Sequence, residues 1–343
     1  MTIKTQFSWR TALLTYFIFF ACISVIVAHP CSTEFKIDTI EKDGVSSIRL
    51  TPTNPNVSVI QPQFDRVGEF SNGLAPVLIG NKWGYIDYTG TLVIQLQFED
   101  AHSFSEGLAF VRIKNQWGYI DPTGKIVIQP RFDEAKDYLE SGASNFSEGF
   151  ASVKIGNKWG YIDRTGKIVI QPKFDGADSF SEGFAAVEVR EKWGFIDPTG
   201  TFVIQPQFVS ARKFSEGLAS VGIEIDKSGG FKYGFIDTTG EIAIQPNFHS
   251  LGTFRKGLAY VWDGLRMVHI DRVGNIYRLT FEERFRKQFH LTCNSDKCGA
   301  FFGLKTIFPA QFDYAKFASE GFVSVKIENK WGYIDFTKCS LSL

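Results

Sequence analysis

The sequence lacks an excess of charge of either sign: 37 basic residues stand against 37 acidic ones in a chain of 343. A net charge of zero removes the basic field on which nucleic-acid binding draws. Histidine is scarce, with five residues at positions 29, 102, 249, 269 and 290, scattered without metal-ligand spacing. His102 and His249 fall in loops, where solvated rings are expected. There is no phosphate-binding glycine loop, no His-Glu-x-x-His and no Gly-x-Ser-x-Gly. No part of the repeat region sustains a helical period. What the chain does have is 44% hydrophobic residues, enough to bury a substantial core.

Residues 1–28 differ in kind from the rest. Lys4 and Arg10 precede an uncharged run from Thr11 to Ala28 dominated by Leu, Phe, Ile and Val. A basic start before an apolar stretch predicts a secretory signal peptide, cleaved after Ala28 with Ile26 at the −3 position. The run is 18 residues long, so an uncleaved anchor over 11–28 is the rival. Cys22 makes a poor lipoprotein site. Residues 29–56, ending in Thr-Pro-Thr-Asn-Pro-Asn, read as a linker or a degenerate N-terminal segment.

From 57 to 339 one motif recurs, Lys/Gln-Trp-Gly-Tyr/Phe-Ile-Asp-x-Thr-Gly-x-x-Val-Ile-Gln-Pro-x-Phe, with its clearest copies at Trp83, Trp117, Trp159, Trp193 and Trp331. Trp83 and Trp117 are 34 residues apart, as are Trp159 and Trp193. An insert around 139–144 stretches the interval between Trp117 and Trp159 to 42. Tyr233 replaces Trp in a fifth copy, 267–271 is a degenerate sixth, and 289–312 a faint seventh. A fixed period of this length marks an array of one supersecondary unit.

Each unit reads as short antiparallel strands. In the second copy 108–113 is a strand, Lys114-Asn115 a tight turn and 117–120 a strand. Asp121-Pro122-Thr123-Gly124 is a turn and 125–128 a strand. Asp can bond forward to backbone N–H groups, Pro presets φ, and Gly supplies positive φ. Ala109, Val111 and Ile113 alternate and so share the core face. The positions between them drift through Arg112, Lys154, Glu188, Gly222 and Lys326, which predicts a partly solvated opposite face. The last copy ends without its Val-Ile-Gln-Pro-x-Phe strand, and the array begins with that strand alone at 59–64. The fold class is therefore all-β: an array of three- to four-stranded antiparallel units closing into a propeller-like ring of about eight. Such a ring removes exposed edges. An open β-solenoid or meander array is the alternative.

Four cysteines lie beyond residue 28: Cys31, Cys293, Cys298 and Cys339. A ring brings Cys31 and Cys339 together, and Cys293 and Cys298 flank a turn-like Asn-Ser-Asp-Lys. Two disulfides, Cys31–Cys339 and Cys293–Cys298, are the hypothesis, although four cysteines allow three pairings. Metal binding by Cys293 and Cys298 is a weaker reading, since no second pair lies nearby.

These residues resemble bacterial WG-repeat (KWG-repeat) proteins. The resemblance rests on Asn81 to Asp87, Trp117 to Gly124, Lys158 to Gly166 and Asn329 to Asp335, recurring in register over roughly 57–337. It weakens in copies six and seven. It implies an all-β, non-catalytic repeat module, often exported or surface-associated, with no established active site to transfer.

The recurring Asp (87, 121, 163, 197, 237, 271, 335) is best read as a turn cap, since one acid–base pair does not need seven copies. One carboxylate per turn is too few for calcium. The recurring Trp is read as packing against the next unit, with its Gly permitting close approach; a stack for sugars is the alternative. Glu106, Glu148, Glu182, Glu216 and Glu320, in the Phe-Ser-Glu-Gly phrases, are expected in turns. Function is expected where copies differ: 137–144, 226–230 and 272–303. The expectation is an exported, non-catalytic scaffold that binds a protein partner. A lectin-like carbohydrate or cell-wall binder is the alternative, and an enzyme with its site on the ring loops a distant third. No cofactor, metal or nucleic acid is expected, and membrane contact only through an uncleaved N-terminal segment.

Overall fold

The fold follows from where the turns fall. In a computed structural model of the full chain, residues 33–42, 45–132, 145–225, 230–277, 289–293, 297–302, 305–317, 320 and 322–336 are described. The expected leader, Cys31, Cys339 and the inserts at 137–144 and 226–229 lie outside them. Among the described residues no helix is long and apolar enough to cross a membrane.

The first strands are β1 (Phe35–Lys42), β2 (Val45–Pro52) and β3 (Ser58–Phe64). The first unit follows as β4 (Arg66–Val67), β5 (Ala75–Ile79), β6 (Lys82–Ile86) and β7 (Leu92–Phe98), hydrogen-bonded in that order. The same four-strand order recurs at 100–132, 176–208, 210–248 and 254–277, and three strands are described at 150–174 and 289–312. The two-residue first strand was not among those read in the sequence, and the last strand is longer than expected, running Ile126–Phe132 in the second unit.

Local chemistry explains each turn. Lys114 and Asn115 sit at φ 50° and 61°, the doubly left-handed geometry that suits a two-residue hairpin. In Asp-x-Thr-Gly the Asp121 carboxylate accepts from Thr123 N–H (2.9 Å), Thr123 hydroxyl (2.6 Å) and Lys125 N–H (3.1 Å). Gly124 closes the turn at φ 84°. In Phe-Ser-Glu-Gly the Glu adopts φ of 50° to 60° and the Gly about 80°.

The eighth sheet has the order β3, Lys330–Asp335, Phe322–Ile327, Tyr314–Phe317. The strand with which the array begins thus supplies the strand its last copy lacks, as the sequence predicts. The junction reproduces ordinary repeat contacts. Lys330 pairs with Asp65 as Lys158 does with Asp175 inside the third unit. Tyr333 hydroxyl donates to Gly68 carbonyl at 2.7 Å, as Tyr161 donates to Asp178 carbonyl.

Seven apolar clusters lie at seven seams between consecutive sheets. At the first seam Tyr85, Ile94 and Phe98 meet Ala109, Val111 and Ile120. The next four seams repeat this. Cys298 and Phe312 meet Val323, Val325 and Ile334. Ile60, Phe64 and Tyr333 meet Ala75, Val77 and Ile86, so the last sheet packs on the first. The sixth–seventh seam falls on side chains outside the described residues. The partly solvated face is found at Arg112, Lys154, Glu188 and Lys326, which are part-exposed, while Gly222 is buried; in the propeller-like stacking the same face is buried two residues earlier, at Phe110, Ser152, Ala186, Ser220 and Ser324. Both faces of a stacked sheet meet a neighbour, and the strand reaches water only further on, at Arg112 or Lys154.

The stretch 29–56, expected as a linker or degenerate segment, contains the β1–β2 hairpin. Its Phe35 and Leu50 are buried with Val57 in the cluster at the seventh–eighth seam. Phe35 meets the Phe312 ring edge-on at 5.5 Å.

Candidate interaction surfaces

The recurring side chains divide into those that fold the unit and those that join units. Asp87, Asp121, Asp163, Asp197, Asp237 and Asp271 all accept backbone N–H groups of their own turns. The Thr hydroxyl two residues on, helped by those amides, holds the Asp121, Asp163, Asp197 and Asp237 carboxyls below the ordinary range. A carboxylate held this way is ionised and already coordinated by its own loop.

The Phe-Ser-Glu-Gly phrases are turns, as expected, but they also link one unit to the next. Ser71, Ser105, Ser147, Ser181 and Ser215 hydroxyls donate to the Phe carbonyl of the following phrase at 2.6 to 2.8 Å. The Glu148 carboxylate accepts from Glu182 N–H (2.6 Å) and Gly183 N–H (2.9 Å). Glu182 does the same for Glu216 and Gly217. Glu106 and Glu216 each reach the next Gly amide. Sequence reasoning missed this relay; its signal was the strict recurrence of Glu where a plain turn would tolerate many residues.

The motif aromatics face the seams. Trp159 and Trp117 are buried, with Trp117 stacked on Phe110 at 4.1 Å. Trp83, Trp193 and Trp331 are half-buried against their seams. The neighbouring Gly has a different task from the one expected. A Cβ on Gly160 would lie 2.5 Å from Ile170 carbonyl oxygen, in the outer strand of its own sheet. Glycine therefore admits the bulged last strand, not the next unit. His102 is not freely solvated either: it is half-buried, 5.6 Å from the Trp117 ring.

Of the regions where copies differ, residues 230, 272–277, 289–293 and 297–302 are described. In the sixth unit Tyr260, Trp262 and Met267 are exposed on the sheet face that elsewhere meets the next unit. Cys293 and Cys298 are register partners across the seventh unit's hairpin. Among the described residues no three His, Cys, Asp or Glu side chains gather as a metal site.

The outer strands carry a repeated exposed pattern. Val93, Val127, Val169 and Val203 are 37% to 46% exposed. Gln95, Gln129, Gln171, Gln205 and Gln245 are exposed beside them.

No curated protein matches the chain by sequence. Among solved structures the chain is similar to a eukaryotic initiation factor, at 11% identity and TM-score 0.48, covering 87% of this chain and 93% of that one. It is also similar to the Neurospora crassa Pan2 WD40 domain, at 10% identity and TM-score 0.35, covering 80% and 89%. A third likeness, to the dihydro-heme d1 dehydrogenase NirN in complex with DHE, has 13% identity and TM-score 0.40, covering 92% and 78%. The fold rests on the sheet pairings rather than on these likenesses. The family described as WG containing repeat matches 53–83, 83–117, 117–159, 159–193, 193–224, 233–261 and 305–331. These segments span most of the chain, and all but 233–261, which begins on the substituted Tyr233, begin or end on the Trp of the motif, so the chain belongs to the WG-containing repeat family.

Proposed function

We propose that this chain is an exported, non-catalytic scaffold that binds a protein partner. One observation carries the reading: the chemistry-bearing residues that recur are committed to folding contacts. The Asp carboxylates cap their own turns, the Glu carboxylates cap the next turn, and the Trp rings face the seams. What remains at the surface includes outer strands that repeat exposed Val and Gln, suited to recognition by shape and backbone. Export rests on the basic-then-apolar start of the chain, and N-terminal sequencing of the mature protein tests it. A start at His29 is expected, and an intact Met1 would sink it.

Burial of the motif Trp rings disfavours the lectin-like reading, because a sugar stack needs an open ring face. Full-length chain, immobilised, is offered glycan and cell-wall polymer arrays and, separately, candidate proteins. Saturable binding to a defined protein with an empty glycan array is the expected outcome. Saturable glycan binding that is lost on Trp262→Ala, with the fold intact, would replace the scaffold by the lectin.

A further inference from the structure

The chain seats its own β1–β2 hairpin on its rim, and two glutamines hold it, one on each strand. Gln61 of β3 accepts from Leu50 N–H at 2.7 Å and donates to Leu50 carbonyl at 3.0 Å. Gln311, in the outer strand of the seventh unit, accepts from Phe35 N–H at 3.3 Å and donates to Phe35 carbonyl at 3.4 Å. Each side-chain amide offers one acceptor and one donor to a single residue's backbone, as a neighbouring strand would. Val59, two residues before Gln61, and Ile48 both pack against the apolar cluster at the same seam.

Both glutamine positions recur around the array. Gln61 corresponds to Gln95, Gln129, Gln171, Gln205 and Gln245, and Val59 to the exposed valines, with Ala243 in the fifth unit. Gln311 corresponds to Gln63, Gln97, Arg131, Lys173 and Gln207. At two seams the cation is already engaged: Arg131 donates to Gly166 carbonyl, and Lys173 to Gly200 carbonyl at 3.3 Å. The other three seams rebuild the neutral pair that holds the hairpin. These pairs are Gln63 with Gln95, Gln97 with Gln129, and Gln207 with Gln245. All six are exposed, and none has a hydrogen-bond partner among the described residues. Exposed valine and glutamine are ordinary on an edge strand; the occupied copy at the seventh–eighth seam is what gives these a use.

We propose that these three seams dock a β-hairpin of a partner protein. Each strand of the hairpin turns one backbone N–H and C=O pair to one of the two glutamines. The hairpin's apolar side chains pack at the seam beside Val93, Val127 or Ala243, as Ile48 joins Val59 against the cluster of the seventh–eighth seam. This rests on the scaffold reading and names the surface and the class of partner. Strand-like recognition of this kind takes affinity from main-chain bonds and selectivity from alternate side chains.

The test uses full-length protein and a fluorescent, backbone-cyclised peptide carrying residues 33–56, since an isolated hairpin is marginal in water. Anisotropy should show saturable binding. Gln95→Glu, Gln129→Glu and Gln245→Glu together should weaken it by about tenfold or more, because glutamate accepts but cannot donate. Gln171→Glu with Gln205→Glu, at the two cation-filled seams, should leave it unchanged. Equal losses in both variants, or no saturable binding by the unaltered chain, would overturn the proposal. Self-association of the chain abolished by the triple variant would make the occupant a second copy and overturn the partner assigned. A protein captured by the unaltered chain and by the triple variant alike would overturn these seams while leaving the scaffold reading in place.

Discussion

At the scale of single residues, the structure ranks positions that the repeat makes look alike. Gly160 and Gly156 are glycines of one unit, the first in a strand and the second in the turn before it; a Cβ on Gly160 would strike Ile170 carbonyl oxygen at 2.5 Å, while Gly156 at φ 61° faces open space. Gly160→Ala should cost at least about 2 kcal/mol in urea unfolding because the obstacle is backbone. Gly156→Ala should cost about 1 kcal/mol, the strain of a left-handed alanine. The carboxylates make a second prediction. Asp121, Asp163 and Asp237 are held below their ordinary range first by the Thr hydroxyl and then by turn amides. Their folded values are lowered, so the stability they lend is complete above the unfolded carboxylate value of about 3.9. It is lost as pH falls through the lower folded values. Urea midpoints should hold steady down to about pH 4 and fall below it. Asp178 runs the other way. Burial raises it, against its amide bond from Ser179 and the nearby Lys213 and Arg212 charges. Ionising it costs stability at neutral pH, so Asp178→Asn should raise the melting temperature there and lose that advantage in acid.

At the scale of elements, the Ser-Glu turn relay and the hairpin are the two features the repeat alone did not disclose. Glu182 links the fourth unit to the fifth through two amide bonds of 2.6 and 2.8 Å. Glu182→Ala should lower stability by about 1 to 2 kcal/mol, and Glu182→Gln by less, since an amide oxygen still accepts. The turn itself was legible because Glu and Gly recur together before a strand. Its partner was not, because a hydrogen bond across 34 residues depends on how sheets stack. The hairpin was hidden for a related reason: 29–56 carries no copy of the motif, so nothing in it repeats. Gln61→Ala should speed hydrogen exchange at the Leu50 amide, by roughly tenfold for one bond of about 1.4 kcal/mol. Exchange in the sixth unit should not change.

At the scale of the whole molecule, the array depends on both ends of the chain. Removing residues 1–65 deletes the edge strand of the eighth sheet and strips Lys330 of Asp65. That variant should melt well below the intact chain and aggregate through the bared Lys330–Asp335 strand; unchanged light scattering on heating would show that β3 is dispensable. Cys293 and Cys298, opposed across one hairpin, should resist alkylation until reductant is added. The sequence by itself determined the unit, its turns and its number of copies, because these follow from residue spacing and local backbone chemistry. It also determined that the first strand would complete the last sheet, since one fragment lacks what the other supplies. Only the tertiary structure decided that sheets pack on neighbours through both faces at the described seams, that Glu bonds the next turn, and that Gln61 and Gln311 grip the hairpin. Those depend on distances between units, which a repeat period does not carry.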